Sequence, residues 1–349
     1  MTAKKRSAVR PPTRAAARGF ARASDNTKLL GWKSLVLENE TLRLTALPEY
    51  GGWIVSIVYK PRDVDLLWRS PRGLLAKDDP PVVPDSSLGF RAYSPGGWPE
   101  LLPHGSGPTD AYGVRLPFHG EVVNRVWRYE LLAASRGEAA IRMWVDCHLM
   151  PLRLERVLRI RAGQAAVLLD ETITNRSGIP IDFMWGHHPY FGKPVLEAGS
   201  RIISPAARAL DDDMRPMSWP VHEGKDFGQC PAEGEGRGEM FYLTDLAQGW
   251  YALVNPARRL GLAMSWDTAV FPYVWIWQEA NSSKNYPYFG GAYAVALEPF
   301  SSLPGARQRG ERLLKLFGGE SLSTRLCFAA FEGLSDVASV SREGEVAGQ

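Results

Sequence analysis

Short runs of β-branched and aromatic residues dominate the chain, and turn-forming residues separate them. Runs of this kind predict strands, and the residues between them predict short connections. No stretch has the period of a long amphipathic helix, and no segment repeats. We therefore predict an all-β fold, a sandwich or a barrel, with strands near residues 34–37, 41–47, 53–59, 122–133, 139–149, 153–161, 165–174, 181–190, 249–254, 260–266, 273–278, 292–298 and 323–331.

Two polar segments rich in glycine and proline interrupt this pattern, at residues 71–118 and 205–240. Long connections of this kind often serve as binding loops or lids. No change of composition divides residues 28–335, so we predict a single domain there. A flexible tail is expected at residues 336–349.

The first 24 residues contain seven basic residues and no acidic one. Without these seven, the chain has 34 basic and 38 acidic residues, so the net charge of +3 does not indicate nucleic-acid binding. We predict a disordered basic tail at residues 1–27, because so few apolar residues cannot support a fold. An organelle transit peptide would have a similar composition.

Three cysteines, Cys147, Cys230 and Cys327, are odd in number and widely spaced, which favours neither a disulfide framework nor a metal site. Reduced cysteines are typical of a cytoplasmic protein. No histidine spacing matches a metal site, and no cofactor-binding motif occurs, so we expect neither a metal nor a cofactor. No apolar run approaches the roughly 20 residues that span a membrane.

Two adjacent histidines, His187 and His188, lie in an aromatic segment that reads as a strand. Neighbouring side chains of a strand point to opposite faces, so the two histidines cannot face one pocket. Gly186 leaves space beside His188, and the following proline keeps the backbone of His188 extended. His188 is thus a candidate ligand-binding residue, although a core histidine with internal hydrogen bonds fits the same pattern.

Glu298 ends a strand in which bulky and small side chains alternate. Tyr293, Val295 and Leu297 share one face, whereas the face of Glu298 carries only alanines, at positions 292, 294 and 296. Space beside the carboxylate suits a binding site. Close packing of a second sheet would use the same alanines.

His119 precedes a glycine at the end of a loop, where a sharp turn can present its imidazole. A surface turn is the alternative. Trp277 could offer an aromatic face to a ligand, or belong to the core.

Four motifs occur in the order in which one known family has them. They are a Leu-Pro-x-x-Gly-Gly turn at residues 47–52, Pro-Phe-His-Gly at 117–120, Asn175 with His-x-Tyr-Phe at 188–191, and Leu-Glu-Pro at 297–299. On these residues the chain resembles the aldose 1-epimerases, or galactose mutarotase-like proteins, over about residues 34–332. The resemblance implies a large β-supersandwich that interconverts the anomers of a small-molecule sugar.

The resemblance also implies roles for individual residues. Glu298 would be the general base for the anomeric hydroxyl, His188 the general acid for the ring oxygen, and His119 a sugar ligand. The family also has a sugar-binding aspartate, for which Asp245 and Asp267 are the two candidates. The Asn-Arg pair of the family is missing from the early loop, where Arg91, Trp98 and Glu100 would contact the substrate instead.

Two other functions fit the same residues. Without the Asn-Arg pair, the protein could bind or sense carbohydrate without catalysis. Alternatively, Arg91 or Arg125 could bind an anionic sugar or a sugar phosphate. The sugar and the oligomeric state do not follow from the sequence.

Overall fold

The computed structural model describes residues 19–79, 85–133, 135 and 137–348. Strands make up about half of the chain, and most of them form three large antiparallel sheets. The all-β fold and the single domain predicted from the sequence are confirmed. The described residues also form two short helices, α1 (Ser86–Tyr93) and α2 (Ala306–Arg309), and two 3-10 turns, Lys60–Arg62 and Val122–Asn124.

The first sheet is a five-stranded meander in which each strand pairs with the next along the chain. Its strands are β1 (Ala21–Leu29), β2 (Trp32–Asn39), β3 (Leu42–Leu47), β4 (Trp53–Tyr59) and β5 (Val64–Asp65).

The second sheet, here called the back sheet, has eight strands in the order β16-β22-β23-β27-β12-β11-β10-β9. These strands are β9 (Arg128–Leu131), β10 (Glu138–Asp146), β11 (Leu152–Arg161), β12 (Ala166–Asn175), β16 (Arg201–Ile203), β22 (Trp250–Asn255), β23 (Leu260–Ser265) and β27 (Ser321–Glu332).

The third sheet, here called the site sheet, has the order β18-β17-β21-β24-β25-β14-β6, and β15 also pairs with β25. These strands are β6 (Glu100–Leu101), β14 (Gly186–His187), β15 (Tyr190–Phe191), β17 (Ala206–Asp211), β18 (Pro216–Ser218), β21 (Arg237–Leu246), β24 (Tyr273–Ala280) and β25 (Tyr293–Phe300). Four two-stranded ribbons pair β7 (Thr109–Ala111) with β8 (Val114–Leu116), β13 (Ile181–Phe183) with β26 (Leu314–Leu316), β19 (Val221–His222) with β20 (Lys225–Asp226), and β28 (Ser339–Val340) with β29 (Val346–Ala347).

The main core contains side chains from all three sheets. Strand β11 is an example of a strand that contributes to this core: its alternate side chains, such as Leu154 and Leu158, are fully buried. Burying a leucine side chain contributes about 1.5–3 kcal/mol. The arginines between them, such as Arg153 and Arg159, face outward and pair with carboxylates.

Both predicted tails need correction. Residues 21–27, expected to be disordered, belong to β1, which pairs with β2 along its length. Residues 336–349, expected to be flexible, contain the β28–β29 hairpin, and Val337 and Val340 are buried in it. Residues 1–18 lie outside the described part of the chain.

Two predicted elements also differ. Residues 205–240 were expected to form a loop, but they contain β17 to β20 and the beginning of β21. The strand predicted at residues 181–190 is three short strands, β13, β14 and β15, because it changes partners along its length. Neither of the described helices has the length or the apolar character that crossing a membrane requires.

Candidate active site

A cavity of about 420 Å³ lies over the site sheet. This volume is within the range of pockets that hold small molecules. Its wall is rich in aromatic side chains, and the lining residues include Phe90, Arg91, Phe118, His119, His188, Tyr190, Tyr242, Trp275, Trp277, Tyr286, Tyr288 and Glu298.

The floor of the cavity follows from the register of the sheet. Two rows of side chains cross neighbouring strands: Tyr242, Trp275, Glu298 and His188 in one row, and Met240, Trp277, Ala296 and Tyr190 in the other. β14 pairs with β25 at Gly186 and Phe300, and β15 pairs with β25 at Tyr190 and Ala296. Both pairs belong to one register, which places His188 opposite Glu298. The pairing of strands therefore brings together residues that are 110 positions apart.

His188 and Glu298 are the acid/base candidates at this position. The Nε2 atom of His188 lies 3.3 Å from Oε1 of Glu298. The Tyr190 hydroxyl lies 3.1 Å from the same Nε2, and its ring stacks on the imidazole with centroids 4.2 Å apart. An acid and a base at this separation can reach two adjacent oxygen atoms of one bound molecule.

Burial dominates the electrostatics of this pair. Loss of solvation lowers the pKa of His188 well below 6.5, and the nearby His119 lowers it further. Burial also raises the pKa of Glu298 well above 4.5. An adjacent carboxylate favours the imidazolium in general, but here desolvation outweighs it. Burial thus favours a neutral imidazole beside a protonated carboxyl group, and the proton of that carboxyl group is the one the two residues can share.

His119 reaches the cavity from a turn with a left-handed backbone (φ 62°), followed by Gly120 at φ 77°. Its Nδ1 lies 2.7 Å from the Gly105 carbonyl oxygen, so the Nδ1–H donates this hydrogen bond. Burial is the main cause that lowers the pKa of His119 to about 3, which makes the ring neutral. Its Nε2 is therefore a hydrogen-bond acceptor.

Aromatic side chains occupy the space that the sequence predicted beside His188 and Glu298. A Cβ at Gly186 would lie 2.2 Å from the Phe300 ring, so this glycine admits Phe300 rather than a ligand. Phe300 in turn stacks on Trp275 with centroids 3.7 Å apart. The alanines beside Glu298 make room for the rings of Trp68 and Tyr190. Small residues thus allow aromatic rings to build the pocket.

The loop between β24 and β25 supplies Ser283, Tyr286 and Tyr288 to the wall. Glu279, which is buried, holds the start of this loop. Its carboxylate accepts hydrogen bonds from the Ser283 amide at 3.0 Å and from the hydroxyl of Ser282 at 2.8 Å. A charged acceptor therefore fixes the loop where it joins the sheet.

Five of the seven residues predicted for the site line this cavity: Arg91, His119, His188, Trp277 and Glu298. Arg91 is exposed, lies 5.8 Å from the Phe118 ring, and forms no ion pair within the described residues. Trp277 is half-buried in the floor.

Trp98 and Glu100 require correction, because neither lines the cavity. Both are fully buried on the core side of the site sheet. The Trp98 indole donates to Nδ1 of His187 at 3.2 Å, and Glu100 accepts from the Trp185 indole at 2.7 Å. Glu100 is opposite His187 in the pairing of β6 with β14, so its side chain shares the face of His187, and Trp98, two residues earlier, lies on the same side.

The other predicted alternatives also lie elsewhere. Asp245 pairs with Arg208 on the surface, and Asp267 accepts the amide of Ala269 in a turn. Arg125, the second candidate for binding an anion, does not line the cavity.

Sequence reasoning missed Tyr242, Trp275 and Tyr288. The signal for the first two was alternation, since Trp275 shares a face with Trp277, and Tyr242 shares a face with Met240. Only the pairing of β21 with β24, which the sequence does not reveal, shows that both faces belong to one floor.

One further group of ligand-type atoms exists among the described residues. Glu100, Glu171 and His187 each place one such atom within 4.8 Å of the others, all buried. The Arg156 guanidinium lies 3.4 Å from Glu100 and already supplies a positive charge there. This arrangement does not fit a metal ion.

Comparison with known proteins gives one family and a set of folds. A family model described as a domain of unknown function, DUF4432, matches residues 30–329. No curated protein matches the sequence.

Several solved structures share the fold at low sequence identity. A candidate aldose 1-epimerase from Klebsiella pneumoniae is 19% identical, with a TM-score of 0.71 over 89% of this chain and 83% of that chain. A galactose mutarotase-like protein from Clostridium acetobutylicum is 15% identical, with a TM-score of 0.66 over 90% and 99%. Slr1438 from Synechocystis is 18% identical, with a TM-score of 0.67 over 88% and 99%. These likenesses establish a galactose mutarotase-like fold.

Proposed function

This chain belongs to the DUF4432 family, and we propose that it is a cofactor-independent sugar mutarotase that uses His188 and Glu298 as its acid/base pair. The observation that carries the proposal is the 3.3 Å approach of the two side chains in the floor of a cavity that can hold a small molecule. The galactose mutarotase-like fold agrees with it.

The reaction needs two proton transfers. The shared proton first moves from Glu298 to His188. Glu298 then takes the proton of the anomeric hydroxyl as the bond from C1 to the ring oxygen breaks, and His188 gives its proton to the ring oxygen. The product is an open-chain aldehyde, which rotates about the bond from C1 to C2. Reversal of both transfers closes the ring as the other anomer. One shared proton is sufficient, and each positioned group contributes about 10²- to 10⁴-fold.

The surroundings of the pair suit this chemistry. Burial favours the uncharged form of both groups, so hydrogen bonds from the sugar must stabilise the carboxylate of Glu298. His119 would accept a hydrogen bond from a sugar hydroxyl at Nε2. Trp277 and Tyr288 would cover the apolar face of the ring. Arg91 would contact substrate at the edge of the cavity.

Exchange NMR on a panel of aldoses tests the proposal. The panel should contain neutral hexoses and pentoses together with uronic acids and hexose phosphates, because the cationic side chain of Arg91 lines the cavity. We expect at least one sugar to exchange anomers faster with enzyme than in buffer. If calorimetry detects binding but no sugar exchanges faster, the protein is a carbohydrate-binding protein, as the missing Asn-Arg pair would allow.

A further inference from the structure

A buried charged cluster lies behind the acid/base pair. It consists of Glu100, Arg156, Glu171 and His187, none of which has more than about 1% of its surface exposed. His187 immediately precedes His188 and points to the opposite face of the strand. The proposed proton transfers use none of these four groups.

The cluster joins two sheets. Arg156 and Glu171 are opposite each other on β11 and β12 of the back sheet. Glu100 and His187 are opposite each other on β6 and β14 of the site sheet. Two contacts join the sheets across the core. Arg156 Nη1 lies 3.4 Å from Glu100 Oε2, and His187 Nε2 lies 3.0 Å from Glu171 Oε2.

The indole of Trp98 determines the tautomer of His187. An indole N–H only donates, and it lies 3.2 Å from Nδ1 of His187. Nδ1 must therefore be the acceptor. Burial lowers the pKa of His187 to about 4, so the ring is neutral and its proton is on Nε2, facing Glu171.

The two carboxyl groups differ in their hydrogen-bond donors. Glu100 receives the Trp185 indole at 2.7 Å and the Arg156 guanidinium at 3.4 Å. Both oxygens of Glu171 lack a donor of good geometry among the described residues, and one of them lies within 4.8 Å of a carboxyl oxygen of Glu100. Burial raises the pKa of each carboxyl group to about 8. Donors favour the ionised form, so Glu100 carries the charge.

We propose that Glu171 is a protonated acid that donates to the carboxylate of Glu100, and that this cluster is a positioning device for His188. One negative charge then balances Arg156, and the Glu171 carboxyl group gains a hydrogen-bond acceptor in Glu100. Backbone hydrogen bonds connect the position of this cluster to that of His188. The His188 amide donates to the Pro99 carbonyl at 3.0 Å, and the Tyr190 amide donates to the Gly97 carbonyl at 2.8 Å.

The variant Glu171→Gln tests the proton. A glutamine amide keeps a donor for Glu100 and an acceptor for His187, so the charge of the cluster is unchanged. We expect the melting temperature to stay within a few degrees of wild type. The infrared spectrum at neutral pH should lose one carboxylic acid C=O band, while the band of Glu298 remains.

The matched control is Glu100→Gln, which has the same shape but removes the charge that balances Arg156. We expect a far lower melting temperature, or no folded protein. Equal losses in the two variants, or an unchanged infrared spectrum in Glu171→Gln, would overturn the proposal. So would a stoichiometric divalent metal in the purified protein that Glu171→Gln loses.

The positioning role is tested with Trp98→Phe, and its kinetic part rests on the proposed mutarotation. We expect kcat to fall about 10- to 100-fold while KM changes little, because His188 shifts relative to Glu298. Trp144→Phe, on the back sheet, serves as the control. NMR of the His188 imidazole needs no activity, and it should show altered shifts in Trp98→Phe. Unaltered shifts would refute the positioning role even if no sugar is turned over.

Discussion

At the scale of single residues, the site depends on desolvation. His188, His119 and Glu298 are all held in their uncharged forms by burial, although each has another polar group nearby. A buried imidazole and a buried carboxyl group that share one proton can pass it in either direction. This suits a reaction that runs forwards and backwards through the same two groups.

The rate should depend on pH through the shared proton. A second proton on the pair blocks the base, and loss of the shared proton removes the acid. Because burial lowers the pKa of His188 and raises that of Glu298, we expect a plateau of kcat/KM across neutral pH. The acidic fall should lie well below pH 6.5. A fall centred near 6.5, the pKa of an ordinary histidine, would argue against the shared proton.

His119 should affect binding more than turnover. Replacing it with alanine removes one acceptor for a sugar hydroxyl, a loss of about 1 kcal/mol. We expect KM to rise several-fold with little change in kcat, measured by coupled assay or exchange NMR. His222→Ala, on the β19 ribbon away from the cavity, is the control. A loss in kcat alone would instead give His119 a role in proton transfer.

At the scale of elements, the pocket depends on the neighbouring strands β21, β24, β25 and β14–β15 of the site sheet. Alternation in the sequence correctly separated His187 from His188, and the bulky from the small face of β25. It could not reveal which strands are neighbours. Consequently Trp98 and Glu100, which share a loop-rich region with Arg91, were placed in the pocket although they lie behind it.

Gly186 offers a test of this packing. A methyl group there would lie 2.2 Å from the Phe300 ring and displace its stack on Trp275. We expect Gly186→Ala to lower the free energy of unfolding by about 1–3 kcal/mol, the typical cost of overpacking, and to reduce activity. Denaturant unfolding and the mutarotase assay measure the two effects.

Gly178→Ala is the matched control, because the methyl group that alanine adds there would meet nothing within 4 Å and the φ of this glycine is not positive. This change should leave stability unchanged or raise it slightly. If Gly186→Ala behaves in the same way, the proposed role of this glycine in admitting Phe300 is wrong.

At the scale of the whole molecule, the strand pattern was enough to predict an all-β single domain, but not its limits. Residues 21–27 look polar because β1 is a largely exposed edge strand. The final hairpin contributes only two buried valines from a polar segment. Edge elements bury little apolar surface, so their composition resembles that of a tail.

Removal of residues 336–349 should therefore destabilise the protein without altering the pocket. Val337 and Val340 cover Trp250 and Val254 of the back sheet. Exposing these side chains should cost about 3 kcal/mol or more and lower the melting temperature. Calorimetry measures the change, and Ser339→Ala, an exposed position of the hairpin, is the control. A truncated protein as stable as wild type would mean that the hairpin is dispensable.

The central claim is that His188 and Glu298 transfer protons to and from one bound sugar. Exchange NMR of a responsive aldose with wild type, Glu298→Gln and His188→Gln tests it most directly, provided that all three melt at similar temperatures. We predict that each variant exchanges anomers about 10²- to 10⁴-fold more slowly than wild type while still binding the sugar. Exchange at the full rate by a folded Glu298→Gln would contradict the account.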